Sequence, residues 1–168
     1  EDGFIRVERL GGVPERALPS QDVMFCIPNA QDVYGIIANK SHHATRQDEK
    51  YKVLPVADLF IDVGLSSKVV VEATGIRIGS PVVYARESYD LGPHRVVGAA
   101  VDDRAGCAVQ LAVAEALTRR TGGPTVHLVF SVQEEFNLRG AQVAAQALTP
   151  DMAIQIDLML ASDTPDMA

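Results

Sequence analysis

The chain has 168 residues, 47% of them hydrophobic and 22% charged, with a formal net charge of −7 and a pI near 5.0. That length and apolar share suit one or two folded units with a real core and exclude a disordered chain. The acidic balance, without clustered lysine and arginine, excludes a nucleic-acid surface, and no apolar run approaches the roughly 20 residues that span a bilayer. The start carries no basic, apolar, small-residue signal, and the two cysteines, Cys26 and Cys107, sit far apart in apolar surroundings. Both features predict a cytoplasmic protein whose thiols are reduced and buried, with no disulfide framework or zinc ribbon.

In chain order, Glu1-Asp2-Gly3 is a tight-turn sequence that runs straight into Phe4–Leu10, so the chain reads as beginning inside a hairpin. Further short strands are predicted at Asp22–Ile27, Val33–Asn39, Leu59–Val63 and Pro81–Tyr84, separated by Gly, Pro and Asn turns. This spacing predicts a small β-barrel or sandwich up to about Gly92. One short helix interrupts it, with Ser66 as N-cap, Ser67 to Thr74 as body and Gly75 after its end. The polar stretch Ser41–Lys52 reads as an exposed loop.

Beyond Gly92 the composition changes. Asp102-Asp103-Arg104 opens a helix to about Arg120, acidic at its positive end and basic at its negative end. Ala, Val and Leu cover most of it, which predicts neighbours on several sides. After Gly122-Gly123-Pro124, Thr125–Val132 reads as a strand buried on both faces, with His127 as a core histidine. An Ala-rich helix over Arg139–Leu148 and a second buried strand over Met152–Ile156 complete an α/β alternation with a parallel-type sheet. The expected organisation is therefore an inserted β-rich domain over 1–92 and the central part of an α/β domain over 93–168.

Acidic residues fall where such a sheet binds ligands. Glu134 and Glu135 follow the first strand, Asp157 ends the second, and a helix N-terminus on the same edge adds Asp102 or Asp103. Neighbours at a strand end point to opposite sides, so one glutamate can hold a metal while the other handles a proton. Singly, each has a plainer reading: an N-cap, a solvated pair, a turn residue. Converging on one rim they need counter-charge, and divalent cations supply it.

These residues carry a resemblance. Val101-Asp102-Asp103-Arg104-Ala105-Gly106, then Val132-Gln133-Glu134-Glu135 with Leu138-Arg139-Gly140-Ala141, then Ile156-Asp157 before Ser162-Asp163-Thr164-Pro165, resemble the tetrahedral or glutamyl aminopeptidase family of cocatalytic metallopeptidases. Some members have carried the label endoglucanase or frv-operon protein. Gly35-Ile36-Ile37, Lys40-Ser41-His42-His43 and Leu59-Phe60-Ile61-Asp62-Val63-Gly64 extend the likeness to the β-rich domain that such enzymes insert into a catalytic α/β domain. The resemblance implies two divalent metal ions, zinc or cobalt, with Asp102 bridging them, Glu135 binding one and Asp157 the other. Glu134 would be the general base in hydrolysis of the N-terminal bond of a peptide. It also implies a homo-oligomer, up to a twelve-subunit tetrahedral shell, built through the inserted domain.

The family's two histidine ligands match none of His42, His43, His94 and His127, so the chain reads as an internal piece of a longer aminopeptidase, inactive by itself. Two other functions stand beside this one. An assembly module could keep the carboxylates without a complete site. A glycoside hydrolase needs carboxyls about 5–10 Å apart across a sugar ring, a geometry that adjacent residues meet poorly, and the chain has no Trp to stack on sugars.

Overall fold

Val23 and Phe25 lie buried while Asp22 is exposed and Met24 half-buried, and this period of two sets the first sheet of the computed structural model, which describes residues 2–162 and Pro165. The sheet holds four antiparallel strands in the order β3-β2-β1-β4: β1 (Asp22–Phe25), β2 (Val33–Ala38), β3 (Phe60–Asp62) and β4 (Val82–Tyr84). Its register pairs Val23 with Gly35 and with Tyr84, and Ile37 with Ile61. The predicted Phe4–Leu10 strand contributes a single bridge, in which the amides of Ile5 and Ile61 each donate to the other's carbonyl at 3.0 and 2.8 Å. Among the described residues the sheet stays open. The barrel is therefore corrected to a four-stranded antiparallel sheet, because three-residue edge strands offer too few hydrogen bonds to close a ring.

By packing, the chain divides into two units, Glu1–Glu87 and Ser88–Ala168. The first owns the core. Leu18, Val23, Phe25, Ile27, Ile37, Leu59, Ile61, Val71 and Ile76 are buried together, and each such side chain, when large, contributes about 1.5–3 kcal/mol by leaving water. Helix α1 (Lys68–Ala73) delivers Val71 to that cluster. Its N-cap is Ser67, one residue later than the sequence suggests, with Oγ accepting the Val70 amide at 3.4 Å, and Gly75 at φ +99° ends it in the left-handed region. Arg6 braces the β3 side by donating to the carbonyls of Ala57 and Leu59, both at 3.0 Å. The 41–52 stretch is a chain of turns around a short 3-10 helix, His42–Ala44, with His42 and His43 exposed.

The second unit contains a two-stranded hairpin, β5 (Tyr89–Asp90) with β6 (Val96–Val97), followed by α2 (Val101–Leu117) and α3 (Arg139–Leu148). Both expected helices form. The expected parallel sheet does not: among the described residues, 125–132 and 152–157 belong to no strand, and every residue in both stretches is exposed. A strand exists only when a neighbour takes its backbone hydrogen bonds, and these two segments do not pair with each other. His127 is accordingly exposed and not a core residue. Cys107 is exposed and Cys26 only half-buried, so neither is the fully buried thiol expected. The apolar surface of α2 is likewise uncovered, with Val109, Leu111 and Val113 exposed, and Gly106 is the one buried residue of this unit among those described.

Candidate active site

The first acidic position lies where α2 begins. Asp102 (φ −82°, ψ 110°) and Asp103 (φ −118°, ψ 54°) are not helical, so the regular turns start at Arg104. Asp103 Oδ1 accepts the amide of Gly106 at 2.8 Å, the bond of an N-cap residue to the third residue on. Gly106 has no room for a side chain, since a Cβ would stand 2.7 Å from the Asp103 Cγ. The two aspartates thus separate in role: Asp103 is committed to capping, whereas Asp102 is exposed. By position alone the sequence left either as the rim carboxylate, and the resemblance pointed to Asp102; the capping bond occupies Asp103 and leaves Asp102 exposed.

Glu134 and Glu135 lie in a turn and not at a strand end, so the strand alternation expected to divide them is absent. The loop from Gln133 to Arg139 is wound on itself. Amides of Phe136 and Arg139 both donate to the Gln133 carbonyl at 3.3 Å, and the Leu138 amide donates to the Glu134 carbonyl at 2.9 Å. From α3, Gln142 Nε2 donates to the Asn137 carbonyl at 2.7 Å, and the Arg139 guanidinium lies 5.6 Å from the centre of the Phe136 ring. Asp157 is held locally as well, its Oδ1 accepting the Leu158 amide at 2.8 Å and its Oδ2 a bond from Gln155 Nε2 at 3.2 Å.

The structure brings the four predicted residues into one electrostatic field. The Glu134 carboxyl is raised above its ordinary 4.5, first by desolvation and then by repulsion from Glu135, Asp157 and Asp102. Because Glu134 is exposed, water screens both contributions. Four hard oxygen donors suit a divalent cation in charge and in donor type. Among the described residues, however, no three His, Cys, Asp or Glu side chains are grouped so as to hold a metal ion. The rim is a shared field and not a finished cage. Asp163 and Thr164 of the last motif lie outside the described residues. The Asp103 cap matches the plainer N-cap reading of that position, whereas the Gln142 bond to the Asn137 carbonyl was missed and had no signal in the sequence.

The chain belongs to the M42 glutamyl aminopeptidase family, whose family model matches residues 1–168. It is similar to the lysyl aminopeptidase of Pyrococcus furiosus (strain ATCC 43587 / DSM 3638 / JCM 8422 / Vc1), with 32% identity over 99% of this chain and 47% of that protein. Among solved structures it resembles the aminopeptidase APDkam598 from the archaeon Desulfurococcus kamchatkensis, at 42% identity and a TM-score of 0.90 over 99% of this chain and 45% of the other. It also resembles the Pyrococcus horikoshii TET1 peptidase, which can assemble into a tetrahedron or a large octahedral shell, at 26% identity and a TM-score of 0.78 over 89% of this chain and 44% of the other. The chain spans less than half the length of each of these relatives.

Proposed function

We propose that the protein carrying these residues is a metal-dependent aminopeptidase with Glu134 as general base, in which Asp102 would bridge two divalent cations, Glu135 would hold one and Asp157 would hold the other. The observation that carries the reading is the family match over residues 1–168, and the Glu134 carboxyl, raised first by desolvation and then by repulsion from these same three carboxylates, supports it. When bound, the cations supply Lewis-acid polarisation of the scissile carbonyl and acidify the attacking water; zinc or cobalt fits that task. A Glu134 carboxylate oxygen accepts the water's proton and delivers it to the leaving amine nitrogen. A pKa raised above its ordinary value strengthens Glu134 as a base. Asp103, tied to Gly106, holds the start of α2 and so the backbone that presents Asp102. The names of the relatives span lysyl and glutamyl, so the assignment is to the peptide bond after the first residue and not to its side chain.

The same reading makes the first unit the assembly element of a homo-oligomer. Support comes from the TET1 peptidase's shells and from the exposed 41–52 loop, where Tyr51 is 87% exposed. Deleting this loop from the full-length protein should shift the particle to smaller species in analytical ultracentrifugation.

Substitution of the paired glutamates tests the catalytic assignment. In the full-length protein Glu134→Gln should lower kcat by about 10²–10⁴-fold with metal content unchanged, because the amide keeps the shape and loses only the proton transfer. Glu135→Gln should lose metal instead. Equal metal content and equal activity in both variants would end this division of labour.

A further inference from the structure

The loop that carries Glu134 and Glu135 is closed by a contact that only glycine can make. Gly140, in the first turn of α3, donates its amide to the Val132 carbonyl at 3.0 Å. A Cβ there would collide with that same carbonyl oxygen, and it would stand 2.7 Å from the Val132 nitrogen and 3.2 Å from the Ser131 Cβ. The obstacle is mostly backbone and cannot swing aside. Gly140 has no positive φ of its own, so the reason for glycine is space and not conformation.

Above this contact the chain makes a seven-residue excursion, 133–139, in which Gln133 (φ +57°), Asn137 (φ +62°) and Leu138 (φ +56°) all adopt the left-handed region. Three non-glycine residues in that region persist only where their surroundings over-determine them. Here the bonds onto the Gln133, Glu134 and Asn137 carbonyls do so, and Gly140 against Val132 closes the base.

We propose that Gly140 is a positioning residue: its Cβ-free contact with Val132 locks the base of the 133–139 loop and so fixes the relative placement of the Glu134 and Glu135 carboxyls. The inference rests on the roles given to those two glutamates above. It adds a determinant that touches neither substrate nor metal. Alanine at position 140 would push α3 away from Val132, open the loop and displace both carboxyls together.

The test is Gly140→Ala in the full-length protein, beside Ala141→Gly, which weakens the same helix turn without adding a Cβ. Misplacement on the order of 1 Å costs about a hundredfold in rate, so kcat should fall about that much in Gly140→Ala while KM moves less than about threefold. The absorption spectrum of the cobalt-loaded protein should shift, and amide exchange at Leu138 and Gly140 should accelerate at least about tenfold through loss of the loop's bonds. Ala141→Gly should leave kcat, spectrum and those exchange rates near wild type. If Gly140→Ala simply gains helix propensity, with a higher Tm, unchanged exchange and an unchanged spectrum, the lock is refuted. Should that variant fail to fold, Gln142→Met removes the clamp on Asn137 without crowding the backbone; faster exchange at Leu138 and a shifted spectrum support the locked loop, and an unchanged pair overturns it. Wild-type protein that neither binds cobalt nor cleaves aminoacyl-arylamides would count against the aminopeptidase reading alone, because the exchange arm still decides the lock.

Discussion

The two units answer the same physical demand in opposite ways. In Glu1–Glu87, strands three to six residues long pair in register with one another and enclose nine buried apolar residues. In Ser88–Ala168, equally apolar segments lie uncovered: Phe130 is 49% exposed, Val132 70% and Ile154 83%. Hydrophobic content alone does not separate the two regions. What separates them is whether each apolar segment finds its hydrogen-bonding and packing partners within these residues, and that teaches that an apolar run reports a need for burial and not its fulfilment.

The largest effect that could break this comparison concerns a polypeptide of just these 168 residues. It should show no aminopeptidase turnover above background and only weak divalent binding, because no three side chains among those described are grouped for a metal. Calorimetric titration with zinc or cobalt alongside an aminoacyl-arylamide assay checks this, and tight uptake of two ions with turnover would contradict the ligand assignment.

Core truncation sharpens the contrast at the next magnitude. In the same polypeptide, Phe25→Ala should cost about 3–5 kcal/mol in denaturant unfolding, since the ring is 2% exposed. Leu111→Ala, at 62% exposure on α2, should change stability by less than about 0.5 kcal/mol. Repeating Leu111→Ala in the full-length protein should raise its cost to about 2 kcal/mol or more if that helix face is covered there. A cost equally small in both settings would mean that α2 keeps its face in water.

The smallest effect is the pH dependence of the acidic rim in metal-free protein. The folded-state pKa of Glu134 lies above 4.5, first through desolvation and then through Glu135, Asp157 and Asp102. Between the unfolded and the raised folded pKa the native state binds more protons, so stability contributed by this group is full below that window and falls as pH rises through it. Glu134→Gln with chelator present should therefore raise Tm slightly at neutral pH and leave it unchanged well below pH 4.5. An identical difference at both pH values would show that the rim charges do not interact.

The antiparallel sheet was legible because its signal is local. The β-branched and apolar runs at Asp22–Phe25 and Val33–Ala38, with turn residues between, mark two strands whose pairing is close in sequence, whereas β3 and β4 join from farther along the chain. The helices were legible too, through cap-type residues near their starts and the Ala-rich runs, although the cap of α1 falls on Ser67 and not on the expected Ser66. Asp102, Glu134, Glu135 and Asp157 stood out because carboxylates interrupting apolar segments are costly without a purpose.

Tertiary structure alone decided the rest. It showed an open sheet where a barrel was expected, because closure depends on long-range hydrogen bonds that no local pattern encodes. It left 125–132 and 152–157 without ladders, because pairing belongs to two segments at once and never to one. It committed Asp103 to the cap, through the Gly106 amide 2.8 Å from its Oδ1, and left Asp102 exposed, a difference between identical side chains one residue apart. And it gave Gly140 a reason to be glycine, since what a missing Cβ avoids is an atom of Val132, eight positions away in the chain and in contact only after folding.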